Sequence, residues 1–329
     1  MEKNMSKGRQ GQQLRFLIYG AGALGQALGC MLAQAGNKVD LLMRQRFVSV
    51  LKNNGLQVKG VLGKYKTPME NLGLLESIAE AQPLYDYILI TTKSYDTKTA
   101  VEDIAAGAVQ AEAIVSLQNG CGNIEELVSV FGAERCLGGR VITGFEILSP
   151  GIINISVTAD AIHIGGSIAE KIPESAATLA KTIAKAGHPC LAVNDIYSSL
   201  YAKLLYNCAL NPLGAILGVH YGALADNSET RKVINSLIIE TFAIIEALSG
   251  STPWRNALEY QELFYRKLIP ATYKHRASML QDLEAGKTTE VEALVGFVSE
   301  QGRRYSIPTP ACDLVAAMVR FKEAYNPGK

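Results

Sequence analysis

Residues 15–36 read RFLIYGAGALGQALGCMLAQAG, and the fold turns on how this stretch is read. An apolar strand runs into Gly20-Ala21-Gly22-Ala23-Leu24-Gly25, and a helix of small residues follows. Gly20 permits a tight turn, Gly22 lets backbone approach a pyrophosphate, and Gly25 lets the helix pack close to the strand. The helix N-terminus then offers free N–H groups to the anion. G-x-G-x-x-G alone is weak evidence, because a glycine turn without a ligand has the same letters. Here strand, glycines and helix come in order at the front of a βαβ unit, the context that a dinucleotide site requires.

The next strand bears on which dinucleotide. An NAD site places an acid about 20 residues on, to hold the ribose 2′-hydroxyl. Arg44 stands there instead, at the end of KVDLLMR with Arg46 nearby, and Asp40 comes too early. A guanidinium suits a 2′-phosphate, so NADP(H) is expected over NAD(H). The competing reading is a pair of solvated arginines. Ligands in open α/β sheets lie beyond the carboxyl ends of the strands. YDYILITTK puts Lys93 at one such end and IVSLQNGCG puts Asn119 at the next, with following glycines that would leave room for a flat ring. A surface lysine and an Asn-Gly turn are the plainer alternatives.

Outward from this stretch, strand-like runs alternate with helical ones: KVDLLMR, YDYILITT, AIVSLQNG and CLGGRVITG, the pattern of a parallel sheet wrapped by helices. SPGIINISVTADAIHIGG has two-residue periodicity and reads as a hairpin or edge pair. Beyond about Val193 strand signals stop and amphipathic helices run to the end. The expected organisation is a flexible tail over residues 1–13, a doubly wound Rossmann-type nucleotide domain over 14–194 and an all-helical substrate domain over 195–329. A length of 329 residues suits two domains.

With 48% hydrophobic and 19% charged residues and a net charge of +1, the chain is globular and carries no field to attract nucleic acid or an anionic membrane. A small molecule is the expected partner. The six cysteines are scattered without metal-ligand spacing, which favours a reducing cytoplasm and free thiols. VINSLIIETFAIIEAL is interrupted by Glu240 and Glu246, so it does not read as a membrane span. His163, His188, His220 and His275 are dispersed, with only His275 close to another residue of interest, and Trp254 reads as a loop anchor. The apolar C-terminal helices leave a homodimer open.

Residues 202–212, AKLLYNCALNP, set Lys203, Asn207 and Asn211 four apart on one helix face among apolar neighbours. Pro212 is expected to kink or end that helix. A buried ammonium loses proton affinity, and a cleft in which it meets a ligand oxygen would justify its cost. Lys203 is then a candidate general acid, with Asn207 and Asn211 orienting substrate oxygens. A lysine on a solvated stripe fits the same spacing.

GAGALG, LQNG, KLLYNCALNPLGAI and SMLQDLEAGKTTEVEALVG, in that order, resemble the ketopantoate reductase family along nearly the whole chain beyond the polar N-terminus. The resemblance implies a Rossmann domain joined to a helical domain like that of 6-phosphogluconate dehydrogenases, with the active site between them. It implies NADPH-dependent reduction of 2-dehydropantoate to (R)-pantoate, on the route to pantothenate and coenzyme A. Lys203 matches the catalytic lysine, and Asn207 and Asn211 match the substrate-binding asparagines. Ser278 matches a serine on the substrate carboxylate, and Glu290 an acid that holds a substrate hydroxyl. Asn119 matches an asparagine near nicotinamide and substrate, Lys93 a cofactor-side lysine and Arg44 the 2′-phosphate arginine. By themselves Ser278 reads as a helix N-cap and Glu290 as a solvated helix position. Relatives commonly have Ile-Asp where Val291-Glu292 stands and Trp where Tyr201 stands, which bears on substrate identity. A reductase of another 2-keto acid, a 3-hydroxyacid or opine-type dehydrogenase, and a catalytically silent NADP-binding sensor are the competing functions.

Overall fold

The computed structural model describes residues 13–325; the tail expected over 1–13 lies outside them except for Gln13. In chain order the elements are β1 (Arg15–Tyr19), α1 (Ala23–Gln34), β2 (Lys38–Leu42), α2 (Gln45–Asn54), β3 (Gln57–Gly60), β4 (Tyr65–Lys66), β5 (Leu72–Leu75), β6 (Leu84–Ile90), α3 (Thr97–Ala106), β7 (Gln110–Ser116), α4 (Asn123–Phe131) and β8 (Cys136–Arg140). Then come β9 (Thr143–Ser149), β10 (Ile152–Thr158), β11 (Ile162–Gly166), α5 (Glu174–Lys185) and β12 (Cys190–Ala192). Helices alone follow: α6 (Ile196–Leu217), α7 (Tyr221–Asp226), α8 (Ser228–Ala247), α9 (Ala257–Leu263), α10 (Ile269–Ala271), α11 (Ser278–Glu284), α12 (Val295–Tyr305) and α13 (Pro310–Ala324).

Eight strands form one sheet in the order β12-β11-β8-β7-β6-β1-β2-β5, parallel throughout except for the β11–β8 pair. Apolar side chains on both faces explain why β1, β6 and β7 read as nearly continuous hydrophobic runs. The order in which strands are laid down reverses between β1 and β6, so the crevice at their carboxyl ends is the topological switch point.

Two expectations are corrected. Residues 152–158 and 162–166 do not pair with each other. β10 lies between β9 and β3 in a second, four-stranded sheet, whereas β11 joins the main sheet beside β8. Periodicity identifies strands, and partner choice depends on β3 and β9, which are short or exposed. Helix α6 also runs unbroken through Pro212 and stops at Gly218, whose φ is +69°. Pro212 is buried with its neighbours, and their packing holds the helix despite the lost hydrogen bond to Cys208.

The helical half has its own core, in which α6 packs against α8, α11 and α13. Glu240, which interrupts the apolar run of α8, is buried there and accepts the Ala311 and Cys312 amides at 2.8 Å each. Its carboxylate caps the first turn of α13, where the positive end of the helix dipole favours an anion. Trp254 sits in the α8–α9 connection against Tyr260, at 4.5 Å between ring centroids. No helix among the described residues is long and apolar enough to cross a membrane.

Candidate active site

The glycine turn lies at the switch point. Gly20 has φ +109°, and a Cβ there would meet Thr92 Cγ2 at 2.6 Å. A Cβ on Gly25 would meet the Gly20 carbonyl oxygen at 2.2 Å, so Gly25 is needed for strand–helix contact. Gly22 differs: its backbone (φ −72°, ψ −173°) suits any residue, and the nearest atom to an added Cβ is Thr91 O at 3.9 Å. Protein packing leaves Gly22 free, and no side chain caps the first amides of α1. Bare backbone with open space before a helix N-terminus fits a pyrophosphate. Ala21, Ala23 and Leu24 complete this turn.

Beyond β2, Arg44 is the exposed N-cap of α2. Asp40, the acid within β2, accepts a hydrogen bond from the Tyr85 hydroxyl at 2.7 Å and is thereby engaged inside the fold. Arg46 is the second residue of α2.

Five polar residues meet at the mouth between the two halves. Lys203 Nζ donates to Asn119 Oδ1 at 2.6 Å and to the Val141 carbonyl at 2.5 Å. Asn119 Nδ2 donates to Glu290 Oε2 at 3.0 Å. Glu290 is 7% exposed and also accepts the Ser94 amide at 3.2 Å. Lys93 Nζ reaches over from the end of β6 to Asp282 Oδ2 at 2.7 Å and Glu290 Oε2 at 3.3 Å. Burial lowers the pKa of Lys203 to about 8; the Glu290 carboxylate opposes this and Arg140 adds to it. Burial acts the same way on Lys93, but the Glu290 and Asp282 carboxylates outweigh it and raise that pKa.

A cavity beside this network is lined by Asn119, Asn207, Asn211, Ser278, Asp282 and Glu290, among others. Asn207 and Asn211 are 8% and 6% exposed. The Tyr221 hydroxyl donates to Asn211 Oδ1, which fixes that amide with its NH₂ unspent. Ser278 is the first residue of α11, and Ala277 holds the cap position expected for it, with no side-chain cap bond. Glu290 is not the solvated helix position expected: it is buried and precedes the 3₁₀ turn Val291–Ala293. The expected residues from both halves are thus brought to one cleft, with Arg44 apart at the β2 end.

Gly120, the first of the glycines after Asn119, has a packing role. A Cβ on Gly120 would meet the Ala293 carbonyl oxygen at 2.3 Å, and the Cys121 amide donates to that oxygen at 3.0 Å. Gly120 therefore lets the sheet-bearing half touch the helical half. Gln118, Asp282 and Arg140 were not singled out from sequence. Gln118 Nε2 ties Thr92, the Lys93 carbonyl and Thr97 together at 2.9–3.2 Å, joining the ends of β6 and β7. Asp282 stands four residues after Ser278, a spacing that puts both on one helix face and could have flagged it. Glu292 pairs with Arg320 at 2.7 Å and does not line the cavity. His275 is exposed against Tyr221, and His188 is buried between Pro189 O and Thr143.

A parallel sheet with a glycine turn at its switch point, a helical partner domain and a shared cleft with a lysine of lowered proton affinity fit, together with the matches that follow, a class: nicotinamide-dependent oxidoreductases that act on small 2-keto acids. Residues 16–167 match the ketopantoate reductase PanE/ApbA family and residues 195–323 match its C-terminal domain. The chain is 37% identical over 313 residues to the 2-dehydropantoate 2-reductase of Aquifex aeolicus, covering 95% of this chain and 98% of that one. It belongs to the ketopantoate reductase (PanE/ApbA) family. The PanE/ApbA family ketopantoate reductase of Ralstonia eutropha superposes with a TM-score of 0.83 at 27% identity, covering 94% of this chain and 99% of that one. D-mandelate dehydrogenase bound to NADH and anilino(oxo)acetate shares the fold, with a TM-score of 0.82 at 23% identity over 94% and 99% of the two chains.

Proposed function

We propose that this protein reduces 2-dehydropantoate to (R)-pantoate at the expense of NADPH, with residues 14–194 binding the cofactor and 195–329 the substrate. The observation that carries the reading is the ammonium of Lys203, held at the cleft by Asn119 and the Val141 carbonyl with its pKa lowered to about 8. NADPH, when bound, supplies the hydride that goes to the carbonyl carbon. Negative charge then gathers on the carbonyl oxygen, and Lys203 stabilises it and gives up a proton, leaving a neutral amine and an alcohol. Ser278 and the free amide groups of Asn207 and Asn211 hold the substrate carboxylate. Glu290, an acceptor at the cleft, takes a hydrogen bond from the substrate hydroxyl. Arg44 serves the 2′-phosphate, Lys93 and Asn119 flank the cofactor, and the bare Gly20–Gly25 turn receives the pyrophosphate.

The test is NADPH oxidation with 2-dehydropantoate beside a panel of other 2-keto acids, at several pH values. Reduction needs the protonated lysine, so kcat/KM should fall about tenfold per pH unit above a midpoint near 8. An ordinary lysine would hold the rate to about pH 10.4. Lys203→Ala should lower turnover by roughly 10²–10⁴ with NADPH affinity nearly intact. Near-normal turnover of that variant removes the general-acid role. Preferential turnover of another 2-keto acid replaces the substrate, and no turnover of any with tight NADPH binding leaves the sensor reading.

A further inference from the structure

Behind Lys203 lies a buried charge that the site as described does not use. Arg140 ends β8 and is 5% exposed, and its Nη2 donates to Asp160 Oδ2 at 2.7 Å and to the Ala161 carbonyl at 3.3 Å. Its Nε is buried without a partner. The next residue, Val141, supplies the carbonyl that holds the Lys203 ammonium at 2.5 Å. Across the β8–β11 pair Arg140 is opposite His163, so their side chains share a face of the sheet, the face covered by α6. His163 Nδ1 meets Ser199 Oγ at 2.9 Å, and Ser199 lies one helical turn before Lys203. Arg140, His163, Ser199 and Lys203 therefore belong to one contact between strand ends and helix.

We propose that Arg140 is a positioning residue for Lys203: it anchors the strand end whose carbonyl holds the ammonium, and sets a permanent positive charge beside that strand end. The proposal rests on the reading of Lys203 as the proton donor. Arg140 suits the task because a guanidinium stays charged at every working pH and is desolvated at lower cost than an ammonium. Asp160, half exposed at the rim, keeps it bonded and screens part of its charge. Two charges act on the Lys203 ammonium, Glu290 from the helical half and Arg140 from β8, and they pull in opposite directions. His163 sits against Arg140 and Asp160, and both burial and Arg140 disfavour its protonation, so it is neutral where the lysine titrates. Lys93 and Asp282 pair with each other across the mouth.

The test compares pH profiles of kcat/KM for reduction of 2-dehydropantoate by NADPH. Arg140→Gln removes the charge, and the alkaline limb should move up by ~0.5–1 pH unit. Arg140→Lys, which keeps a cation, should restore most of the wild-type limb. Asp160→Asn unscreens the guanidinium and should shift the limb the other way, to lower pH. General loosening would let water reach Lys203, relieve its burial and raise the midpoint in both variants, so opposite shifts cannot come from it. An unmoved limb in Arg140→Gln, or shifts of the same sign in Arg140→Gln and Asp160→Asn, overturns the proposal. Should Arg140→Gln fail to fold, the sign of the Asp160→Asn shift decides alone, because Asp160 is at the surface. Lys203→Ala keeps the two readings apart. If it retains turnover, the general-acid reading has failed; if it loses turnover while the Arg140→Gln limb stays put, only the role of Arg140 has.

Discussion

Gly22→Ala separates cofactor binding from folding in a single methyl group. At Gly22 the backbone is already in a region open to alanine, and the added Cβ comes no closer than 3.9 Å to another protein atom. Replacing Gly by Ala at a compatible position restricts the unfolded chain and stabilises by ~0.4–1 kcal/mol. Gly22 is also the N-cap of α1, where alanine is less favourable than glycine by a similar amount, so net stability should change by less than ~1 kcal/mol. The thermal midpoint should then stay within about 3 °C of wild type. In the proposed complex the methyl occupies space that the pyrophosphate needs. Steric overlap of that kind costs roughly 1–3 kcal/mol, or about 5–150-fold in Kd. Calorimetric titration with NADPH beside a melting curve measures both. Gly25→Ala is the contrast, since its Cβ would fall 2.2 Å from a backbone oxygen that cannot give way. That variant should lose ~3 kcal/mol or more of stability before cofactor is considered. NADPH binding by Gly22→Ala equal to wild type would refute the pyrophosphate site.

Two smaller perturbations probe the ends of the cleft. Arg44→Ala should weaken NADPH roughly tenfold and NADH hardly at all, the modest size following from the exposure of Arg44, and equal losses for both would overturn the 2′-phosphate assignment. Tyr221→Phe frees the Asn211 amide and leaves its oxygen buried without a donor; stability should fall by ~1–3 kcal/mol, and KM for the keto acid should rise several-fold with kcat little changed. An unchanged KM would detach Asn211 from substrate.

The fold of the sheet-bearing half was legible because its determinants are local. Strand, glycine turn and helix are contiguous, and Gly25 makes room for the carbonyl of Gly20 in the same turn, although Gly20 is also kept bare by the distant Thr92. The helix carrying Lys203, Asn207 and Asn211 was legible by period, although its passage through Pro212 was not, since packing from α8, α11 and α13 decides that. Pairings between residues far apart in the chain stayed hidden. Lys93 and Asp282 are 189 positions apart, and Glu240 caps a helix 71 positions away. Arg140 looked like any strand-end residue. The split of β10 and β11 between two sheets has the same cause: alternation records which side chains face a core, and says nothing about which core.

The cleft holds two lysines and two carboxylates, and their pairing decides which lysine can act as an acid. Lys93 takes both carboxylates, at 2.7 and 3.3 Å, and its pKa rises; an ammonium so paired is a poor donor near neutral pH. Lys203 touches neither, because Asn119 stands between it and Glu290 with its oxygen on the lysine and its nitrogen on the acid. The amide keeps the carboxylate out of contact, and burial, with Arg140 adding to it, outweighs the charge of Glu290 and lowers the pKa of Lys203. Asn119→Asp tests this with almost no change of shape. A carboxylate would then lie about 2.6 Å from the ammonium, the separation of the present hydrogen bond. A partner at that range raises a lysine's pKa by about 1–3 units, so the alkaline limb of reduction should move from about 8 towards 9–11. The maximal rate should fall as well, since a lysine stabilised as its cation protonates an alkoxide less readily. A limb that stays near pH 8 in Asn119→Asp would mean that Lys203 is not the group whose ionisation it reports, and the division of labour between the two lysines would have to be abandoned.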